Sequence, residues 1–103
     1  MNELKFPNKF LFGTAVASYQ VEGGIYNNDW TIWENKKNSV CVEPCNEACN
    51  HYELIDEDIN LLKTLGIKAF RFSIEWSRIE PIQGTFNDDE INHYVDKANK
   101  LIS

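Results

Sequence analysis

Cys41, Cys45 and Cys49 recur at every fourth position, and His51 stands two residues further on. Thiolates and imidazoles are zinc ligands, so this cluster is the first whose residue types suggest chemistry. The spacing matches no familiar C-x-x-C knuckle, and Pro44 interrupts the helix that would align the three thiols. Free thiols in a loop are therefore expected, and no metal. An odd cysteine count also cannot close a disulfide framework. A second set lies where polarity alternates. Phe70, Phe72, Ile74 and Trp76 would face one way along a strand, and Arg71, Ser73 and Glu75 the other. Arg71 and Glu75 on one face read either as a structural ion pair or as part of a site. Trp30 and Trp33 offer aromatic faces that stack on sugars or bury as loop anchors, and anchoring is the expected role.

The elements that must position these groups alternate along the chain. Phe10 to Ala17 is a short apolar run with small residues, which suits a buried strand. Residues 18–50 are rich in Gly and Asn and read as one long loop, a length usually tied to function. Tyr52, Ile55, Ile59, Leu62 and Leu65 recur at three- and four-residue steps, predicting an amphipathic helix that Gly66 ends. Ile67 to Trp76 then switches to a period of two. Pro81 and Gly84 mark a turn, and Asn87 with Glu90 resembles an N-cap with its capping-box partner. Ile91, Tyr94, Val95, Ala98 and Leu101 form the apolar face of the last helix.

Strand, helix, strand, helix predicts βα units around a parallel sheet. A strand with one aromatic and one Arg-Ser-Glu face fits a β/α barrel, whose inner residues at the strand tops build the site. An edge strand with a solvated face is the alternative. The chain has 103 residues, room for one small domain, and 43% are hydrophobic. Ten Lys/Arg against sixteen Asp/Glu give a net charge of −6, which argues against a nucleic-acid partner. No stretch is long and apolar enough for a membrane span, and the first residues lack the basic start of a secretory signal. Cytoplasmic localisation is the default expectation.

The run Phe10-Leu11-Phe12-Gly13-Thr14-Ala15-Val16-Ala17-Ser18-Tyr19-Gln20-Val21-Glu22-Gly23 resembles the N-terminal signature of glycoside hydrolase family 1. The similarity continues through Asp29 to Glu34, through His51-Tyr52, and along Phe70 to Ile79 with Pro81. Asn50 stands where many relatives have Asp, and Cys41 and Cys45 fall in a loop that varies freely.

That resemblance implies an α/β fold, an incomplete (β/α)8 TIM barrel whose first two βα units occupy residues 1–103. It implies a retaining β-glycosidase of β-glucosidase or 6-phospho-β-glucosidase type that acts on β-glycosides or oligosaccharides without a cofactor. Such chemistry needs two carboxyl groups about 5–5.5 Å apart, one acid/base and one nucleophile. The family carries them in Thr-x-Asn-Glu-Pro and Glu-Asn-Gly motifs, and neither occurs here. Glu80-Pro81 is preceded by Arg78-Ile79 and belongs to a turn. Thus no catalytic residue is assigned, the isolated chain is expected to be inactive, and the missing remainder of the barrel is its implied partner. By the same resemblance Gln20 binds sugar hydroxyls and Arg71 supports the nucleophile, while Glu22 and Glu34 are hydrogen-bonding groups. A non-catalytic remnant or sugar-contacting module is the rival reading, and a cysteine-based metal module a third. Sugar specificity lies in segments outside these residues.

Overall fold

Local signals set the helices before any packing is considered. The Asn87 side chain accepts from the amides of Asp89 and Glu90, capping α5 (Asp88–Ile102), and three acidic residues follow in its first turn. Such a cap is worth about 1 kcal/mol. The reciprocal capping-box bond does not form, because the Glu90 carboxylate accepts from the Tyr52 hydroxyl instead, at 2.8 Å. Gly66, at φ +72°, ends α3 (Ile55–Thr64) in the left-handed conformation that glycine adopts without a Cβ clash. Helix α3 starts at Ile55, so Tyr52 lies in the preceding turn.

In the computed structural model, which describes residues 2–103, β1 (Gly13–Ala15) pairs in parallel with β2 (Ala69–Arg71). The register sets Gly13 opposite Ala69, Thr14 opposite Phe70 and Ala15 opposite Arg71. A parallel pair requires a long crossover, supplied here by residues 16–68. Expectation and fold differ in extent. Both strands are far shorter than the runs Phe10–Ala17 and Ile67–Trp76, since each has only one neighbour to bond with, and Trp76 opens α4 (Trp76–Ile79). β1 is exposed rather than buried. The residues 18–50 do not form one loop: they contain α1 (Ser18–Val21) and α2 (Asp29–Glu34), the latter capped by Asn28.

The turn leading to α3 is unusual in its backbone. Asn46, Ala48 and Asn50 all have positive φ. Asn reaches this region more readily than most residues because its short polar side chain bonds locally, and Asn50 sits there at φ +54°. Gly23 packs against the same turn, where a Cβ would lie 2.1 Å from the Glu47 carbonyl oxygen. No side chain fits.

The described residues form an open α/β unit, not a closed globule. Their radius of gyration is 17.1 Å, against about 13 Å for a compact chain of this length. Their accessible surface is 8111 Å², where a folded monomer of 12.0 kDa would have roughly 6,000 Å². The apolar core is small: Ile25, Ile55, Ile59, Ile79 and Tyr94.

Candidate functional site

Polar side chains converge where the carboxyl ends of the two strands meet α1 and α5. The Ser18 amide donates to Ser73 Oγ at 2.7 Å, and Ser18 Oγ donates to Glu75 Oε2 at 2.9 Å. Glu75 Oε1 accepts from Ser77 Oγ at 2.7 Å and Asn28 Nδ2 at 3.3 Å. The Glu75 amide donates to the Tyr94 hydroxyl at 3.1 Å, which in turn donates to Glu22. Arg78 closes the knot. Its Nε reaches Glu22 Oε2 at 3.2 Å, its terminal nitrogen reaches the Gly23 carbonyl at 2.7 Å, and its guanidinium lies 4.0 Å over the Tyr52 ring. Glu22 is only 2% exposed, so these donors replace the water its oxygens have lost.

Protonation follows the same contacts. Burial alone would raise the Glu75 carboxyl, but bonds from Ser77, Asn28 and Ser18 outweigh it and hold it below the usual value. Burial, then the Glu22 charge, pushes the Tyr94 phenol up. Burial and the Glu90 bond push Tyr52 up to about 12. Glu22 and Glu75 are thus structural acceptors whose oxygens are committed to protein donors. Glu34 has the same character: it accepts from the Tyr19 hydroxyl and the Cys45 amide. Both Glu22 and Glu34 are the hydrogen-bonding groups the sequence suggested.

Gln20 lies in α1, just beyond the carboxyl end of β1, and is exposed. Arg71 is the last residue of β2; its carbonyl accepts from Val16 at 3.0 Å and its side chain is exposed. The parallel register therefore brings both to one end of the sheet. Arg71 makes no ion pair with Glu75, whose carboxylate is fully engaged elsewhere. Trp30 and Trp33 are 55% and 39% exposed, which corrects their expected role as buried anchors: α2 turns them outward. The three thiols do not converge. Cys41 Sγ donates to the Glu43 carbonyl, Cys45 is half-buried and Cys49 exposed.

Two groups escaped the sequence reading. Arg78 had no periodic signal, since it lies in α4, a single helical turn too short to show a period. Lys97 had one: it sits on the stripe between Tyr94 and Leu101. It is 2% exposed, with its ammonium 4.2 Å from the Phe72 ring centroid. Burial lowers its pKa, opposed by the charges of Glu22 and Asp58.

Parallel strands with helices outside and polar residues gathered at their carboxyl ends define an α/β unit of the kind that builds sites at strand tops. Comparison with known proteins narrows this. The model of glycosyl hydrolase family 1 matches residues 2–103. Beta-glucosidase A of Acetivibrio thermocellus is 37% identical over 110 residues, covering 99% of this chain and 24% of that protein. Beta-glucosidase A of Thermotoga maritima is 44% identical over 91 residues, covering 82% of this chain and 20% of that protein. The solved beta-glycosidase from Pyrococcus horikoshii superposes with a TM-score of 0.86 at 44% identity, covering 96% of this chain and 23% of that one. The chain belongs to glycosyl hydrolase family 1. It spans about a quarter of the length of the relatives it matches.

Proposed function

We propose that this chain supplies the first two βα units of a retaining β-glycosidase barrel and acts on a β-glycoside only when the remaining units are present. The family match along residues 2–103 carries this reading. In it Gln20 holds hydroxyls of the reacting sugar, because an amide offers two donors and an acceptor without competing charge. Arg71 would favour the ionised form of a nucleophile brought by a later strand. Both carboxylates of the reaction lie outside residues 1–103, so the chain alone is inactive. No cofactor is needed, and the cytoplasm is the proposed location.

The test places these 103 residues in the Thermotoga maritima enzyme in place of the segment they match. The chimera should hydrolyse a chromogenic aryl β-glucoside, while the isolated chain should not exceed background. Gln20→Ala in the chimera should lower kcat/KM by about 1–3 kcal/mol with little change in melting temperature. Arg71→Ala should lower kcat and shift the acidic limb of its pH profile, which reports the enzyme–substrate complex. An active isolated chain, or an unimpaired Gln20→Ala chimera, would overturn the assignment.

A further inference from the structure

Helix α2 presents a surface that the reading above does not use. Trp30 and Trp33 stand 5.3 Å apart, centroid to centroid, with their rings at right angles. With Asp29 they line an open cleft of about 300 Å³, the lower end of the range for small-molecule sites. The scaffold beneath is fixed. Asn28 Oδ1 accepts from the Trp30 and Thr31 amides, and its Nδ2 donates to Glu75 in the buried knot. Thr31 Oγ1 donates to the Ile25 carbonyl at 2.8 Å, and Tyr19 stacks on Trp30 while bonding to Glu34. The two indoles are thus preorganised yet exposed, which costs a ligand little ordering entropy.

The composition of the cleft selects its ligand. The groove beside β2, lined by residues such as Phe72, Ile74, Phe86 and Val95, is apolar throughout and suits another polypeptide segment. The α2 cleft instead pairs aromatic faces with a carboxylate. Asp29 Oδ1 accepts from the Trp30 amide at 3.0 Å, and the other oxygen remains available to a donor. Asp29 is exposed, and an apolar peptide side chain would displace water from its carboxylate without supplying a donor in its place. A pyranose supplies both halves: C–H groups on one face for the indoles and hydroxyl donors around its rim for the carboxylate.

We propose that Trp30, Trp33 and Asp29 form a carbohydrate platform, separate from Gln20, that holds a neutral pyranoside by its C–H face. The platform rests on the reading of this chain as part of a sugar-processing barrel, with Tyr19 linking α2 to the helix that carries Gln20.

Saturation-transfer NMR with methyl β-cellobioside on the 103-residue chain tests it. Transfer should reach the ring C–H protons of the sugar and saturate with concentration. Trp33→Ala should weaken binding at least tenfold, Trp30→Phe should retain most of it, and Trp76→Phe should leave it unchanged. Amide spectra of each variant check that α2 and α5 persist; if Trp33→Ala unfolds α2, Asp29→Leu, which keeps both indoles, should weaken binding instead. Absent transfer, or transfer indifferent to both Trp33→Ala and Asp29→Leu, overturns the platform. An inactive chimera with the platform signal intact would strike the β-glycosidase reading alone. An active chimera with no platform signal would strike the platform alone.

Discussion

The polar knot around Glu22 and the apolar groove beside β2 treat water in opposite ways. Glu22, Glu75 and Lys97 are buried, whereas Ile74, Trp76, Phe86 and Val95 are exposed. The usual ranking of burial is inverted. The knot can be buried because each carboxylate finds its donors within the same 103 residues, from Ser18 to Tyr94. The groove, about 440 Å³, has no such partner, because apolar faces of a βα unit need the adjacent unit to cover them. Polar satisfaction is local to this chain. Apolar satisfaction is not.

Breaking the knot should have the largest effect. Arg78→Met leaves Glu22 buried without its cation, and removal of one partner from such a pair costs about 3 kcal/mol. Amide exchange in α1 and α5 should accelerate together. Unchanged protection would mean that Tyr94 alone satisfies Glu22.

The groove should respond differently. Ile74→Asp combined with Val95→Asp alters side chains already half exposed, so stability should move by no more than about 0.5 kcal/mol. Association should change instead: the parent chain is expected to self-associate through its unpaired edges and apolar face, and the double variant to shift toward monomer. Sedimentation velocity at several concentrations decides. A monodisperse parent monomer with a sharp melt would show that the groove needs no cover.

The charges inside the knot give finer tests, of smaller size. Lys97 has a lowered pKa when folded, so just below the ordinary 10.5 the unfolded chain holds a proton that the folded one has released. Stability from this group therefore rises with pH in that window. Lys97→Met should remove that rise and stabilise the chain at neutral pH, where burial disfavours the charged ammonium. Tyr52, raised to about 12, acts with opposite sign above pH 10, so the difference between parent and variant curves isolates the lysine. Glu75 works at the other end. Its folded pKa lies below 4.5, so its contribution is present above that value and is lost as pH falls through the folded one. Glu75→Gln should flatten the acid limb of the denaturation curve. An acid limb identical to the parent's would remove Glu75 from the account.

Much of this was legible in the residues themselves. Asn87, Gly66 and the apolar spacing of α3 and α5 act within a few residues of chain, so their sequence signals fixed the elements. The order of elements gave the parallel pair, and the run from Phe10 to Gly23 gave the family. Tertiary structure alone decided the rest. It shortened both strands, because a strand extends only as far as a neighbour bonds it. It diverted Glu90 from its cap to Tyr52, folded α1 and α2 from a stretch that reads as loop, and turned Trp30 and Trp33 outward. It also placed Arg78 between Glu22 and Tyr52, residues 56 and 26 positions away. Hydrogen bonds across such separations depend on where helices dock, and no local pattern in the chain encodes a partner that distant.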